Sequence, residues 1–388
     1  MKNKRNTRRL PFFNRLMFGL NALFCLALLL SYLAPYTDPR SNSYIAFFGL
    51  AYPPLLLLNG LFIVYWLLFS ARYALLSLVV IIIGYGSLLN HIGFHSAAHS
   101  LGPDSSRIRM MTYNVHEFKR YGSANDSWTR HDIFNIINTQ QPDIIGIQEF
   151  YTRWRGQYAI LDSLKKLLGT NNVYFAPTYN SARDAGGMAL FSKFPIVNKG
   201  FIQLAEMGSE NQCIFIDVKR NSQVFRIYSL HLQSIKLGPA DYSYLDSIKK
   251  HQANFSSSKR IGSKLKQAFI KRSAQVAILK QNAAQCPYPY IISGDFNDTP
   301  ASYAVHQLSE GMKNAFRERG QGLGRTYNGD FPNYQIDYIL TSPQFDVEDY
   351  YVIGKKLSDH YPVYSDLMLK RAQPAGKGVS GNAKTAGE

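Results

Sequence analysis

Cysteine is scarce in this chain: its 388 residues include only three, Cys25, Cys213 and Cys286. Three cysteines cannot form the disulfide framework of a small secreted domain, although Cys213 and Cys286 could pair. The sequence contains neither a C-x-x-C pair nor the Cys/His spacing that binds structural zinc. It also lacks the G-x-G-x-x-G and Walker motifs, so a Rossmann dinucleotide site or a P-loop has no support. No internal repeat stands out.

Basic residues are abundant instead. Lys and Arg number 43 against 26 Asp and Glu, which gives a formal net charge of +17. Part of the excess lies in residues 1–100, which contain eight basic residues and one acidic residue. The region 101–370 keeps a moderate basic excess. Such an excess suits a polyanionic substrate or an anionic membrane surface, but it is also common in proteins that bind neither.

The first hundred residues contain three long apolar runs, at about Leu16–Leu33, Tyr44–Phe69 and Tyr73–Phe94. Each is near the ~20 residues that span a bilayer. Six Lys or Arg precede residue 16, and the first loop carries only Arg40, which predicts a cytoplasmic N-terminus. We therefore expect residues 1–100 to be an anchor of about three transmembrane helices in the inner or plasma membrane, with the rest of the chain outside the cytoplasm. A cleaved signal peptide is the alternative for the first run. A re-entrant second run, which contains two prolines, would reverse the orientation.

Three histidines recur every four residues where this anchor ends, at His91, His95 and His99. On one helix they would share a face, and such a face can bind a metal ion. The alternative is a histidine cluster at the edge of the membrane.

Beyond Arg107, short strand-like runs alternate with amphipathic stretches, which indicates an α/β domain of more than one layer over residues 101–370. The small polar residues 371–388 predict a disordered tail. The predicted helices are Trp128–Gln140, Tyr158–Leu168 and Lys259–Gln285. The predicted strands are Ile108–Asn114, Asp143–Glu149, Gly187–Ser192, Cys213–Val218, Val224–His231, Tyr290–Asp295, Gln335–Thr341 and Tyr361–Leu369.

Polar side chains lie at the ends of several predicted strands. In IISGDFNDTP, Asp295 and Asn297 are two residues apart, so in an extended segment they would point to the same side. The same residues are ordinary in turns, so the pair alone does not define a site. Because further strands end in comparable groups, a shared site is favoured. These groups are Asn114, Glu149, His231, Asp337, Asp359 and His360.

The oxygen-bearing residues among them suit a hard cation. Glu149, helped by Asn114 and Asp359, could hold Mg²⁺ through oxygen atoms. A cation there would offset charge that develops on a phosphoryl oxygen.

The remaining residues suit proton handling at a phosphate. An aspartate can fix the tautomer of a histidine that polarises water or donates to the phosphate, and Asp337 with His360 is the pair we expect to do so. Asp295 could orient the attacking water or assist the leaving group, while Asn297 holds the phosphate. Nothing in the sequence suggests a covalent nucleophile.

Seven segments together resemble the endonuclease/exonuclease/phosphatase superfamily, whose catalytic core is similar in DNase I, exonuclease III-type repair enzymes, neutral sphingomyelinases and inositol polyphosphate 5-phosphatases. The resemblance covers about Arg107–Leu369. It implies a four-layer α/β/β/α sandwich and hydrolysis of a phosphoester that depends on Mg²⁺ or Mn²⁺. The segments are, in chain order, TYNVHEF, DIIGIQE, GGMALFSKFPI, YSLHLQS, SGDFND, QIDYIL and SDHYPV.

The resemblance also implies a role for each matching residue. The metal side would consist of Glu149, Asn114 and Asp359. The catalytic residues would be His360, its partner Asp337, Asp295, Asn297 and His231, with Asn297 and His231 also binding the substrate phosphate. His231 matches the second histidine of the DNase I and sphingomyelinase branches.

Some features depart from the superfamily pattern. His116 stands where repair enzymes often carry an aspartate, which argues with His231 against abasic-site repair. The loop Thr178–Gly187 could bring Tyr179 or Arg183 to the phosphate, or be a plain surface loop. The insert Leu232–Arg260 could bind a polyanion, lie on lipid headgroups or be a solvated loop.

The expected function is therefore a membrane-anchored, metal-dependent phosphodiesterase acting by in-line attack of water, either a nuclease or a lipid-headgroup hydrolase. A phosphomonoesterase is the alternative, and an inactive scaffold domain the third possibility. The sequence does not choose between nucleic acid and phospholipid as the substrate, and it suggests no protein partner.

Overall fold

The computed structural model describes residues 11–95, 106–119, 127–206, 208–249, 254–329 and 333–370. Residues 11–95 form what we call the helical unit, and residues 106–370 form the α/β domain. The helices are α1 (Phe12–Leu33), α2 (Ser43–Leu50), α3 (Tyr52–Phe69), α4 (Ala74–Ile83), α5 (Tyr85–His91), α6 (Ser127–Gln140), α7 (Ile160–Leu168), α8 (Pro239–Lys249), α9 (Phe255–Ala284), α10 (Tyr303–Ser309) and α11 (Ala315–Arg319).

The long helices of the helical unit pack antiparallel. At one end, the Tyr65 hydroxyl of α3 donates to Asn14 Oδ1 of α1 at 2.9 Å. At the other end, the Tyr32 hydroxyl of α1 donates to the carbonyl of Val80 in α4 at 3.1 Å. Successive helices α1, α3 and α4 therefore run up, down and up.

The helical unit buries a polar cluster beside apolar residues such as Leu28 and Trp66, and it exposes many apolar side chains. Asn21, Asn59 and Ser77 are fully buried between the helices. Asn21 Nδ2 donates to Ser77 Oγ at 2.6 Å, and Ser77 Oγ donates to Asn59 Oδ1 at 3.0 Å. In contrast, Leu23 is 58% exposed and Leu67 is 61% exposed. A water-soluble bundle would place polar side chains on its outer surface. Apolar outer surfaces and buried polar contacts between helices are typical of helices in lipid.

The apolar runs predicted to span a membrane do form helices, but the helices are interrupted at other positions than expected. α1 and α3 are long and apolar enough to cross a membrane. The prolines of the second run lie in the first turn of α3, where proline is tolerated, and α2 forms before them. The third run is the broken one, since α4 and α5 meet at a 68° bend.

The predicted histidine face does not form. His91 ends α5 and packs against Tyr52 with ring centroids 4.2 Å apart. His95 follows a short strand and not another helical turn. His99 lies outside the described residues, as do the predicted tail and the boundary near residue 100. All three cysteines are free.

The α/β domain contains two six-stranded sheets. The first has the strand order β13-β14-β2-β3-β5-β4, and the second β10-β12-β9-β8-β7-β6. The strands are β1 (Gly93–Phe94), β2 (Arg107–Asn114), β3 (Ile144–Arg153), β4 (Val173–Asn180), β5 (Asp184–Ser192), β6 (Ile196–Gln203), β7 (Gln212–Arg220), β8 (Gln223–His231), β9 (Tyr290–Asp295), β10 (Lys313–Asn314), β11 (Gln321–Gly322), β12 (Asp337–Thr341), β13 (Phe345–Val352) and β14 (Val363–Leu369).

Three apolar clusters hold these layers together. Met110 and Leu190 of the first sheet share a cluster with Ile227 of the second, so the sheets pack face to face. Residues of α6 and α7 cover the outer face of the first sheet, and residues of α9 and α10 cover that of the second. The result is the expected α/β/β/α layering, in which both sheets are covered because strands with two apolar faces must bury both.

One end of the helical unit packs directly on the α/β domain. The Phe47 ring of α2 meets Phe269 of α9 edge to face, with centroids 5.3 Å apart. A Cβ on Gly49 would lie 2.8 Å from the Ala301 carbonyl oxygen, so only glycine permits this approach. At the same end, Ser273 Oγ donates to Asp38 Oδ1 at 2.6 Å.

Candidate active site

Strand register brings three of the predicted residues of the second sheet together. β8 and β9 are parallel, with His231 opposite Asp295. β12 is antiparallel to β9, with Asp337 opposite the same Asp295. The three side chains therefore lie in one row, where β8 and β9 end and β12 begins. All three residues are buried.

The first sheet supplies Asn114 from the end of β2 and Glu149 from within the neighbouring parallel strand β3, one residue beyond its pairing with β2. The pairing of β3 with β5 shifts register between Ile147 and Phe150, and Glu149 has φ of +49°. Such a bulge turns a side chain that regular alternation would place elsewhere. A left-handed backbone at a non-glycine residue costs about 1–3 kcal/mol, and such strain is concentrated at functional sites.

Asn114 links the two sheets at this point. Its Nδ2 donates to Glu149 Oε1 at 3.0 Å and to Asp295 Oδ2 at 3.1 Å. Glu149 and Asp295 line a cavity of about 260 Å³. The other predicted residues that line it are His231, Asn297, Asp359 and His360.

An aspartate–histidine pair lies at the base of this cavity. His360 Nδ1 lies 2.9 Å from Asp337 Oδ2, and His360 Nε2 lies 3.6 Å from Asp295 Oδ2. Burial opposes the charged imidazole, but the carboxylates of Asp337 and Asp295 outweigh it and raise the pKa of His360 well above its usual value. Since the carboxylate holds Nδ1, the Nε2 side of the ring is the one that can donate to a substrate.

The pKa of Asp295 is shifted as well, but here burial favours the neutral form. Burial raises the pKa of its carboxyl from 3.8 to about 6, although the nearby histidines favour the charged form. Its Oδ1 accepts from the Asn297 backbone N–H at 2.8 Å, and its Oδ2 accepts from Asn297 Nδ2 at 3.1 Å. Asn297 has φ of +53°, which turns its amide back toward Asp295. A carboxyl with this pKa can exchange a proton near neutral pH.

Glu149 and Asp359 offer oxygen ligands for a divalent cation at the cavity. Glu149 Oε2 and Asp359 Oδ1 both approach the ring of His116, with Nδ1 3.4 Å and 3.8 Å away. Burial opposes ionisation of Glu149, but the hydrogen bond with His116 and the nearby histidines outweigh it and lower its pKa to about 2. The Glu149 and Asp359 carboxylates, together with the Asn114 amide oxygen, fit a hard cation such as Mg²⁺ or Mn²⁺.

A second group of side chains also has metal-like spacing. Within the described part of the chain, the ligand atoms of Asp295, Asp337 and His360 all lie within 4.8 Å of one another. Asp337 is already hydrogen-bonded to His360, however, so this group is better described as a proton relay with a second carboxylate.

The structure does not bring Arg183 to this cavity. Arg183 lies on the turn between β4 and β5 and lines a separate cleft with Arg153 and Arg155. Tyr179 is 44% exposed on β4 and is likewise not among the residues that line the cavity. The structure thus gives no geometric support to a contact between either residue and the substrate phosphate.

Several cavity residues were missed by sequence reasoning. Lys236 lies on the loop after β8 with φ of +53°, and Tyr327 packs edge to face on His360 with centroids 5.4 Å apart. Arg272 comes from the middle of α9, where its periodicity resembled that of any buried helix residue. His116, which contacts Glu149 and Asp359 but is not among the residues that line the cavity, was recognised only as a departure from the superfamily pattern. No local signal in the sequence distinguishes the other three.

Comparison with known proteins agrees with this arrangement. The model of the endonuclease/exonuclease/phosphatase family matches residues 111–360, and a family described only as a domain of unknown function matches residues 14–91. No curated protein matches the chain significantly.

Solved structures of the family resemble the α/β domain. An endonuclease/exonuclease/phosphatase from Bacteroides vulgatus is 18% identical, covers 69% of this chain and 100% of its own, and has a TM-score of 0.50. The human Nocturnin catalytic domain with bound sulfate is 19% identical over 68% of this chain and 95% of its own, with a TM-score of 0.47. A mannosyl-6-phosphatase from Bacteroides thetaiotaomicron is 18% identical over 68% and 100%, with a TM-score of 0.44. The chain belongs to the endonuclease/exonuclease/phosphatase family.

Proposed function

We propose that this protein is a membrane-anchored phosphoesterase that hydrolyses a phosphodiester with the help of Mg²⁺ or Mn²⁺. The observation that carries the proposal is the position of the His360–Asp337 pair, next to Asp295 and at the same cavity as the Glu149 and Asp359 carboxylates. This is the inventory that attack of water on phosphorus requires: a proton donor, a group that orients water, and oxygen ligands for a cation.

Each residue has a role that follows from its contacts. Asp337 holds Nδ1 of His360, so the imidazolium presents Nε2–H to a phosphoryl oxygen. Asp295, with its raised pKa, orients the attacking water and takes up its proton. His231 and Asn297 complete the wall that faces the phosphate. A cation held by Glu149, Asp359 and Asn114 would act as a Lewis acid that offsets charge on the phosphoryl oxygens.

Membrane anchorage is the second part of the proposal. It is supported by the exposed apolar side chains and the buried polar cluster of the helical unit. It is also supported by two helices that are long and apolar enough to cross a membrane. The basic residues predict a cytoplasmic N-terminus, and the apolar runs predict three crossings, the third of which requires the bent α4–α5 pair to span the membrane. Together they would place the α/β domain outside the cytoplasm. A reporter fused after residue 370 tests this: an extracytoplasmic signal is expected, and a cytoplasmic one would overturn the orientation.

The activity test uses the purified full-length chain in lipid nanodiscs with bis(p-nitrophenyl) phosphate, after chelation and then with Mg²⁺ or Mn²⁺. Hydrolysis should require the cation and should fall by about 10²–10⁴ in His360→Ala or Asp295→Ala. His131→Ala is the matched control, because His131 is an exposed histidine of α6. Activity without a cation, or wild-type rates in either site variant, would refute the mechanism. Faster hydrolysis of p-nitrophenyl phosphate would indicate a phosphomonoesterase instead.

A further inference from the structure

The cavity has two chemically different walls. One wall carries the charged and polar groups around His360 and Glu149. A second wall is apolar, and its residues pack in one cluster. It consists of Leu50, Ile235, Leu237, Leu265 and Phe269. A phosphate bound at the polar wall would therefore hold the remainder of its substrate against hydrocarbon.

The helical unit supplies part of this apolar wall. Leu50 is the last residue of α2, and the apolar helix α3 begins only two residues later, at Tyr52. Leu50 and Phe47 pack into a cluster with Leu265 and Phe269 of α9. The site of the α/β domain is thus completed by the segment that immediately precedes a candidate membrane span.

The insert Leu232–Arg260 contributes apolar side chains to the cavity lining in addition to Lys236. Its Ile235 and Leu237 pack on the same cluster. Two of the cations in and after the insert share one carboxylate, because Asp241 accepts from Arg260 at 2.7 Å and from Lys264 at 2.6 Å. A nucleic-acid site would need several unpaired cations aimed at successive phosphates.

We propose that the substrate is a membrane lipid phosphoester, with its phosphate at His360 and Glu149 and its apolar chain against Leu50, Ile235 and Leu237. This inference rests on the proposed phosphoesterase activity and on membrane anchorage. Water adds to phosphorus, the P–O bond to the leaving alcohol breaks, and the alcohol receives the proton that the water gives up. Because Leu50 of the apolar wall lies two residues before α3, a lipid chain in the cavity would lie next to a candidate membrane span.

The test compares p-nitrophenyl alkyl phosphodiesters, from methyl to octyl, below their critical micelle concentrations and with the full-length protein in nanodiscs. If the alkyl chain is buried, kcat/KM should rise by up to about fourfold per methylene, the burial increment of a CH₂ group. Leu50→Asn should lower the ratio of octyl to methyl kcat/KM about tenfold. Leu237→Asn, on a different element, should lower the same ratio, so the test does not depend on one variant folding. Val197→Asn on β6 is the control, since Val197 is 53% exposed and outside the cavity.

The outcomes separate this inference from the activity itself. If the methyl ester is not hydrolysed with any cation, the proposed function fails and the lipid assignment fails with it. If the methyl ester is hydrolysed but chain length has no effect, the lipid assignment alone is overturned. Faster hydrolysis of an oligodeoxynucleotide than of the octyl ester would overturn it in favour of a nuclease. An unchanged octyl-to-methyl ratio in both leucine variants would also overturn it.

Discussion

Replacing Asp295 by asparagine should make the stability of the protein less dependent on pH. The folded-state pKa of Asp295 is about 6, and an unfolded chain has a value of about 3.9. Between these values the folded protein keeps a proton that the unfolded chain has lost, so the free energy of unfolding falls as pH rises from 4 to 6. Two pKa units at about 1.4 kcal/mol each give a loss of about 3 kcal/mol, complete above pH 6.

The asparagine variant cannot lose this proton and should escape that loss. It also exchanges an oxygen for an N–H₂ group and weakens hydrogen bonds that Asn114 and Asn297 donate, but this cost of about 1–3 kcal/mol varies little with pH. The measurable quantity is therefore the difference in Tm between variant and wild type. It should shift in favour of the variant by roughly 4–5 °C between pH 4 and pH 7.

The assay is thermal unfolding of the full-length chain in detergent with a chelator present, at half-unit steps of pH. Asp162→Asn is the matched control, because the side chain of Asp162 is 64% exposed and its change should leave the Tm difference flat across pH. A difference between Asp295→Asn and wild type that stays constant from pH 4 to pH 7 would refute the argument. The same variant should be nearly inactive, so the gain in stability and the loss of hydrolysis would occur together.

Three further outcomes follow from buried contacts. Asp337→Asn removes the carboxylate that raises the pKa of His360, so the alkaline limb of the kcat profile should move to lower pH. Arg226→Met leaves the buried carboxylate of Asp217, which accepts from Arg226 Nε at 2.6 Å, without its cation, and should cost about 3–5 kcal/mol in chemical denaturation. Gly294→Ala should cost at least about 2 kcal/mol, because φ is +135° and a Cβ would overlap the backbone of β8.

Each of these has its own control. An alkaline limb at the same pH in Asp337→Asn would show that the carboxylate does not set the imidazole pKa. A double change of Arg226→Met with Asp217→Leu should recover most of the lost stability, and failure to do so would contradict a charge-based cost. Gly262→Ala within α9 meets no atom within 4 Å of its new Cβ, so it should not destabilise the protein.

The interior strands could be predicted from the sequence and the edge strands could not. Every predicted strand lies inside a sheet, with neighbours on both sides, where apolar runs are continuous. In the two six-stranded sheets, the missed strands β4, β6, β10 and β13 are the four edges, and the short β1–β11 pair was missed as well. Edge strands carry polar residues and meet solvent on one side, and β6 with its exposed Val197, Asn198 and Lys199 illustrates the point.

The candidate site could be predicted because its residues lie in short, recognisable sequence segments at or near the ends of predicted strands. Eight of the predicted site residues line the cavity or are hydrogen-bonded to a residue that does, namely Asn114, Glu149, His231, Asp295, Asn297, Asp337, Asp359 and His360. Arg183 was predicted for the phosphate from a loop whose path the sequence does not define, and it lies in another cleft. Loop residues without a motif depend on the fold for their position.

The sequence by itself determined the residue types of the site, the family and the apolar character of the first hundred residues, because these properties belong to short segments. Only the tertiary structure decided what lies opposite the reacting groups. Leu50 and His360 are 310 residues apart, and no periodicity relates them. They line one cavity because Gly49 allows α2 to pack on the loop after β9 and because Phe47 packs on α9. Packing of complementary surfaces, which no local pattern encodes, therefore joined the helical unit to the site.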